Sequence, residues 1–260
     1  MTITPSIKRD YLSKLAAQGK RADNRKFDEF RPIEIEIGYI PKAEGSARVK
    51  IGNTQIVTGI KMGVGEPYPD TPNEGVMSTA AEMIPMASPD FEAGPPRENA
   101  IELARVVDRG IRESQVIEVE KLCIEPGEKI WIVFIDIHIL DYDGNLFDAA
   151  SLASLAALYN TTVPAKRFEV GENFPLPMKD PPISCTSVKF NNAIVIDPSL
   201  DEEEVAETRL TVATDENGDI RAMQKGLNGS FTVDEIKKVI KASIDNGKKI
   251  REELYKIAGK

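Results

Sequence analysis

Residues 140–160, LDYDGNLFDAASLASLAALYN, have the make-up of an anion-binding junction. An apolar run, Lys129–Leu140, enters an acidic, glycine-containing turn, and a helix of small residues follows from about Asp148 to Tyr159. Unpartnered N–H groups in a helix's first turn, with the positive end of its dipole, suit a phosphate or a carboxylate at such a place. The turn itself points the other way. It holds Leu146 and Phe147 where an anion site wants a hydroxyl and a cation. The residues leave two readings open, a working site and one whose chemistry has been removed.

A second group able to do chemistry lies in PPRENAIELARVVDRGIRES, residues 95–114. Arg105, Arg109 and Arg112 stand at i, i+4 and i+7 and share one helix face. A guanidinium offers phosphate oxygens two donors in fixed geometry. The same spacing fits a plainer reading. Glu98, Glu102, Arg105 and Arg109 lie three or four apart, and acids ahead of bases form intrahelical pairs worth about 0.2–0.5 kcal/mol each.

Other chemistries are closed by composition. Cys123 and Cys185 are the only cysteines and His138 the only histidine, so there is no zinc-ligand spacing and no Ser–His or Cys–His couple. His138 lies in a strand-like run and reads as a packed or surface residue. Catalysis here would need carboxylates, lysine, arginine or bound ions. The net charge of −9 opposes nonspecific nucleic-acid binding by the chain as a whole, so any basic face must be concentrated on one element. Arg21, Arg25, Lys26 and Arg31 alternate with Asp23, Asp28 and Glu29 and read as a structural or interfacial connector. Lys237, Lys238, Lys241, Lys248 and Lys249 read as the solvated face of a final helix.

The elements that must position these residues follow from periodicity. Residues 7–19 form a short amphipathic helix. EIEIGYI (34–40), SARVKIG (46–52) and TQIVTGIKM (54–62) alternate as half-buried strands and make an antiparallel meander, with tight turns expected at Gly52-Asn53 and Glu44-Gly45. GEPYPDTPNEG (65–75) is an irregular proline-rich loop, and strand character resumes at 76–86. In the 95–114 helix, Ile101, Ala104, Val107 and Ile111 recur at helical spacing and should face the core. The alanines of the 148–159 helix allow close backbone approach, which makes it central and buried. After a proline-rich connector (167–182), further strands turn at Asn191-Asn192 and Asn217-Gly218, and a long helix runs from Thr232 to about Ala258. Strands followed by helices in each half give an α+β fold. We expect an N-terminal helical segment 1–20, then halves 21–165 and 166–260, within one compact domain.

At 260 residues the chain can bury a sizeable core. No apolar run approaches the roughly 18–20 residues that cross a bilayer, so no membrane role is expected. The charged start MTITPSIKRDYLSKLAAQGKR lacks the apolar core of a signal peptide, which implies a cytoplasmic location.

RADNRKFDEFRPIEIEIGYIPKAEGSARVKIGNT resembles the RNase PH family: an R-x-D-x-R connector leads into RP, and a later GSA opens the second strand. The likeness continues through EPYPDTPNEG, GPPRENAIELARVVDRGIRES, LDYDGNLFDAASLASLAALYNT and VIDPSLDEE, which spans essentially the whole chain. Within the family the chain looks like the branch regarded as non-catalytic in the archaeal exosome. The resemblance implies an RNase PH-like α+β fold, two βαβ-rich halves with helices packed on mixed sheets. It also implies a ring of three heterodimers with a catalytic sibling subunit, RNA-binding cap subunits, and single-stranded RNA as the bound polymer. The reaction the resemblance implies is attack of inorganic phosphate on the terminal phosphodiester with release of nucleoside diphosphates, the phosphate and Mg²⁺ being expected at the sibling's active site.

The resemblance assigns roles residue by residue. The sibling's glycine–serine–arginine–threonine phosphate motif falls on Asn145, Leu146, Phe147 and Asp148, a degenerate phosphate site with no hydroxyl, no guanidinium and an added carboxylate. The sibling's acid near the C-terminal strands falls near Glu207, and its RNA-gripping loop becomes one with Glu66, Asp70 and Glu74 and no cation. The expectation is no catalytic and no metal-binding residue in this chain, with no cofactor of its own, and RNA contact by Arg105 and Arg109, joined by Arg112 and Arg97. An exoribonuclease active by itself and a pure scaffold without RNA contact are the alternatives.

Overall fold

The computed structural model describes residues 3–259, with side chains described from residue 7 to residue 259; Met1 and Thr2 of the expected N-terminal segment, and Lys260, lie outside the described residues. The helix α1 (Ile3–Ala17) precedes the connector. Strands β1 (Ile33–Ile37), β2 (Gly45–Ile51) and β3 (Thr54–Gly65) form the expected antiparallel meander, with Ile51 opposite Thr54 across the Gly52-Asn53 turn. β4 (Val76–Met83) ends earlier than its sequence suggests, and α2 (Glu98–Glu113) carries the arginine series. A 3-10 turn and the short β5 (Cys123–Glu125) lead into β6 (Lys129–Asp141).

The order across the first sheet is β1-β2-β3-β6-β4, with β5 paired beside the start of β6. β4 runs parallel to β6 and the other pairs are antiparallel, so β4–α2–β6 is the crossover unit that makes the sheet mixed. The helix α3 (Leu146–Tyr159) follows the turn, and every residue from Leu146 to Leu158 is buried. A helix apolar all round belongs in a core, and α3 packs on β2, β3 and β9. Small residues make this possible. A Cβ at Gly45 of β2 would lie 2.5 Å from the Ala157 carbonyl oxygen of α3, so glycine sets the helix-to-sheet distance there.

A small hairpin of β7 (Thr162–Val163) and β8 (Phe174–Pro175) follows, and the second sheet, of order β10-β9-β11-β12, is antiparallel throughout. It comprises β9 (Ile183–Phe190), β10 (Ala193–Ile196), β11 (Thr208–Thr214) and β12 (Ile220–Gly226), with the one-and-a-half-turn helix α4 (Leu200–Val205) between β10 and β11. The β9–β10 turn uses Asn191 and Asn192, both at positive φ, as tight hairpins require. The helix α5 (Val233–Ala258) opens on a capping box in which Thr232 and Glu235 satisfy each other's backbone amides, and it packs on β9 and β11. Its five named lysines are exposed, as a solvated face requires.

The main core lies between the first sheet and α2, α3 and β9. One expected core residue is elsewhere. Ile101 is 49% exposed, and the buried face of α2 is Ala100, Leu103, Ala104, Val107, Gly110 and Ile111. The sequence does not separate Ile101 from Leu103, because both are large and apolar and only the helix's rotation on the sheet chooses between them. No helix among the described residues is long and apolar enough to cross a membrane.

Candidate functional site

The strand–turn–helix junction is built by long-range charges. The Arg31 guanidinium donates to the Asp143 carbonyl oxygen at 2.6 Å and contacts the Gly144 carbonyl, while Thr54 Oγ1 donates to the same Gly144 oxygen at 2.6 Å. Arg31 is itself held by Asp197, which accepts from Arg31 N, Nε and Nη2 and from Arg25 Nη1, all at 2.8–2.9 Å. Asp197 is fully buried, and the Arg31 guanidinium beside it keeps its carboxyl below the usual range despite burial. Arg21 pairs with Glu202 through Nε at 2.9 Å and Nη2 at 2.6 Å, both residues being buried. The connector is structural. It fastens the junction to α4 and the end of β10.

Asn145 caps α3 at φ 56°, and the helix starts at Leu146, two residues earlier than its sequence suggests. The backbone amide of Asn145 donates to Glu203 Oε1 at 2.9 Å, and Tyr142 Oη donates to Glu203 Oε2 at 2.8 Å. Burial, with Glu203 beside it, raises the Tyr142 hydroxyl far above its ordinary value, so it stays a donor. Burial also raises Glu203, against the two hydrogen bonds that favour its ionised form. One of the amides that could meet an anion at this junction, that of Asn145, already has a carboxylate.

Leu146 and Phe147 are 7% and 8% exposed, each burial being worth about 1.5–3 kcal/mol. The Arg209 guanidinium of β11 lies 4.1 Å from the Phe147 ring centre, a cation–π contact, and pairs with Glu102 of α2. Asp148 differs from its expected place beside the anion position. It turns inward and accepts from Asn145 Nδ2, Thr186 N and Thr186 Oγ1, each at 2.8 Å, tying α3 to β9. Burial pushes its carboxyl up to about 7. The carboxylate at the helix start is Glu203, which comes from 58 residues further along the chain.

The arginine series is sorted by its partners. Arg112 donates twice to Asp108 at 3.0 Å and once to the Met77 carbonyl at 3.2 Å, and Asp108 raises it further. Arg97 pairs with Glu92 at 2.5 Å on the surface. Arg109 donates from Nη1 to Gln224 Oε1 of β12 at 3.0 Å, and Arg105 is exposed with no hydrogen-bond or ion-pair partner among the described residues. The intrahelical pairing of Glu102 with these arginines does not occur, because Glu102 is drawn to Arg209. Arg105, Arg109 and Arg112 line one groove of about 390 Å³, with the acids Asp108 and Glu113, Ile101 and β4 residues. Arg97 stands outside it.

The remaining candidates are dispersed. Glu207 precedes β11 and accepts from Arg9 Nη2 at 2.6 Å. Asp70 and Glu74 line a separate depression of about 630 Å³ in which Arg112 and Lys179 supply the cations that the loop lacks. His138 lies 3.4 Å from Glu82 on the sheet surface. No group of three or more His, Cys, Asp or Glu among the described residues is arranged to hold a metal ion. Sequence reasoning missed Glu203, Tyr142, Arg209 and Gln224, whose partners are distant in the chain.

Residues 29–164 match domain 1 of the 3′ exoribonuclease family, RNase PH, and residues 180–246 match its domain 2. The chain belongs to the RNase PH family. Among its RNase PH relatives, the exosome complex component Rrp42 of Methanocella arvoryzae is 56% identical over 252 residues, with 97% of both chains covered. The protein of the same name from Thermoplasma acidophilum is 53% identical over 254 residues, covering 98% of this chain and 97% of that one. A chain of a solved structure described as the Archaeoglobus fulgidus exosome with RNA bound to the active site superposes with a TM-score of 0.94 at 52% identity, covering 97% of this chain and 99% of that one.

Proposed function

We propose that the chain is a non-catalytic ring subunit of an archaeal exosome. The observation that carries this reading is the bond from Asn145 N to Glu203, with Leu146 and Phe147 packed beside it. In the family's reaction this junction holds the attacking phosphate. Here a carboxylate takes the helix amide, and an apolar pair replaces the hydroxyl and the guanidinium. Phosphate and Mg²⁺ then act in the sibling subunit's active site, and this chain holds no catalytic residue, no metal and no cofactor.

The subunit's contribution is architectural and electrostatic. Three heterodimers with the catalytic sibling form the ring in the cytoplasm, RNA-binding subunits cap it, and single-stranded RNA is shortened from its 3′ end. Arg105 and Arg109 contact the RNA backbone from the α2 groove. Arg112 and Arg97, with their own acids to satisfy, add less. Backbone contact without base readout gives little sequence preference.

The test is degradation of a 5′-labelled oligoadenylate with phosphate and Mg²⁺ by this chain alone, the catalytic sibling alone and their reconstituted mixture. The chain alone is expected to be inert and to raise the sibling's rate or processivity. Release of nucleoside diphosphates by the purified chain alone would overturn the reading.

A further inference from the structure

Two residues of the second sheet decide which α2 arginines are left without a carboxylate partner. Glu102 stands three positions before Arg105, a spacing at which an acid neutralises a base on a helix face. It is turned instead to Arg209 of β11. Arg209 cannot swing freely. Its guanidinium lies over the Phe147 ring on one side, and a Cβ at Gly226 would come within 2.6 Å of its Nη2 on another. The side chain is 14% exposed, so it holds Glu102 from a seated position. Arg109 is met differently. Its partner Gln224 is a neutral amide, which fixes the guanidinium through one bond and leaves its charge uncompensated.

We infer that Arg209 and Gln224 are positioning residues for RNA binding: Arg209 withholds Glu102 from Arg105, and Gln224 orients Arg109 without neutralising it. Neither touches RNA. Both act from the C-terminal half on a helix of the N-terminal half. This rests on the proposed contact of Arg105 and Arg109 with RNA, and it adds that β11 and β12 decide which guanidiniums of a groove also lined by Asp108 and Glu113 are left free for phosphate.

The experiment measures binding of single-stranded oligoadenylate to the reconstituted complex by fluorescence polarisation over a salt series. Gln224→Glu places a carboxylate against Arg109 and is expected to weaken binding as far as Arg109→Ala does, with the slope of log affinity against log salt falling by roughly 0.7 for one lost phosphate contact. Gln224→Ala is expected to weaken binding less and to keep the slope. Arg209→Met frees Glu102 and is expected to weaken binding, and Glu102→Gln in the same chain is expected to restore it. A merely structural loss at Arg209 would not be rescued in that way, so weakening without rescue overturns its positioning role. If Arg209→Met fails to assemble, Gln224→Glu still decides. Should Arg105→Ala and Arg109→Ala weaken binding while Gln224→Glu leaves affinity and slope at wild-type values, the positioning inference is wrong and the RNA contact stands. Should Arg105→Ala and Arg109→Ala themselves change nothing, the RNA contact is wrong.

Discussion

The backbone N–H of Asn145 donates to Glu203 Oε1 at 2.9 Å, so the amide that opens α3 is held by a carboxylate of the same chain. Tyr142 donates to the other oxygen of that carboxylate. Glu203→Ala removes the acceptor from two partly buried donors at once, and an unsatisfied buried donor costs about 1–3 kcal/mol. The variant's urea midpoint should fall accordingly. Glu203→Gln keeps an acceptor for one donor and should lose less. Equal stability of wild type and Glu203→Ala would show that water serves both donors equally well.

Restoring the family's residue types at the turn should not restore chemistry. Leu146→Ser with Phe147→Arg returns a hydroxyl and a guanidinium, but Glu203 still holds the helix amide. The new arginine also meets Arg209, whose guanidinium lies 4.1 Å from the present ring centre. Phosphate-dependent release of nucleoside diphosphates by this double variant is expected to stay at background. Activity above background would mean that the turn residues alone remove the phosphate site.

The meander, the arginine-bearing helix, the buried alanine-rich helix and the long C-terminal helix were legible because each rests on local periodicity or local turn chemistry. The details of the site rest on pairs far apart in the chain. Asn145 and Glu203 are 58 residues apart, Arg209 and Glu102 are 107 apart, and Arg31 and Asp197 are 166 apart. Composition shows that Leu146 and Phe147 cannot grip phosphate. It does not show which carboxylate replaces the anion, or that Asp148 turns into the core. The α2 helix teaches the same lesson, since Ile101 and Leu103 are equally apolar and only packing against β4 sends one out and the other in.

Asp148 gives the protein an unusual pH response. Burial lifts its carboxyl from 3.8 to about 7, so the folded chain keeps a proton that the unfolded chain has released. The stability due to this group is greatest in acid, declines as pH rises from about 4 to about 7, and levels off beyond, with a slope of at most about 1.4 kcal/mol per pH unit. Asp148→Asn removes the titration and should flatten the decline between pH 5 and 7 in urea melts. An identical pH profile in both proteins would remove Asp148 as its cause.

Asp197 responds in the opposite sense. Arg31 holds its carboxyl below the ordinary range, so its contribution is present above the unfolded value and is lost as pH falls through the folded one. Asp197→Asn retains a residue that tolerates the positive φ of 47° while deleting the charge. Breaking a buried pair by removing one partner costs about 3–5 kcal/mol. The variant should lose about that much at pH 7, with the gap to wild type closing in acid. A gap that persists unchanged at pH 3 would assign the loss to packing instead.

Arg105 and Arg112 share the α2 groove but should respond differently to truncation. Arg105 is exposed and without a partner among the described residues, so Arg105→Ala should leave stability within about 0.5 kcal/mol of wild type. If it meets an RNA phosphate, the salt slope of oligoadenylate binding should fall by roughly 0.7. Arg112 ties α2 to β4 through the Met77 carbonyl and holds Asp108, which also accepts from Thr79. Arg112→Ala should therefore lower the melting temperature and change the salt slope less. Parallel melts and salt titrations of the two variants in the assembled complex separate these roles. A loss of stability without a slope change for Arg105→Ala would make Arg105 a structural residue and leave the groove's RNA contact to Arg109.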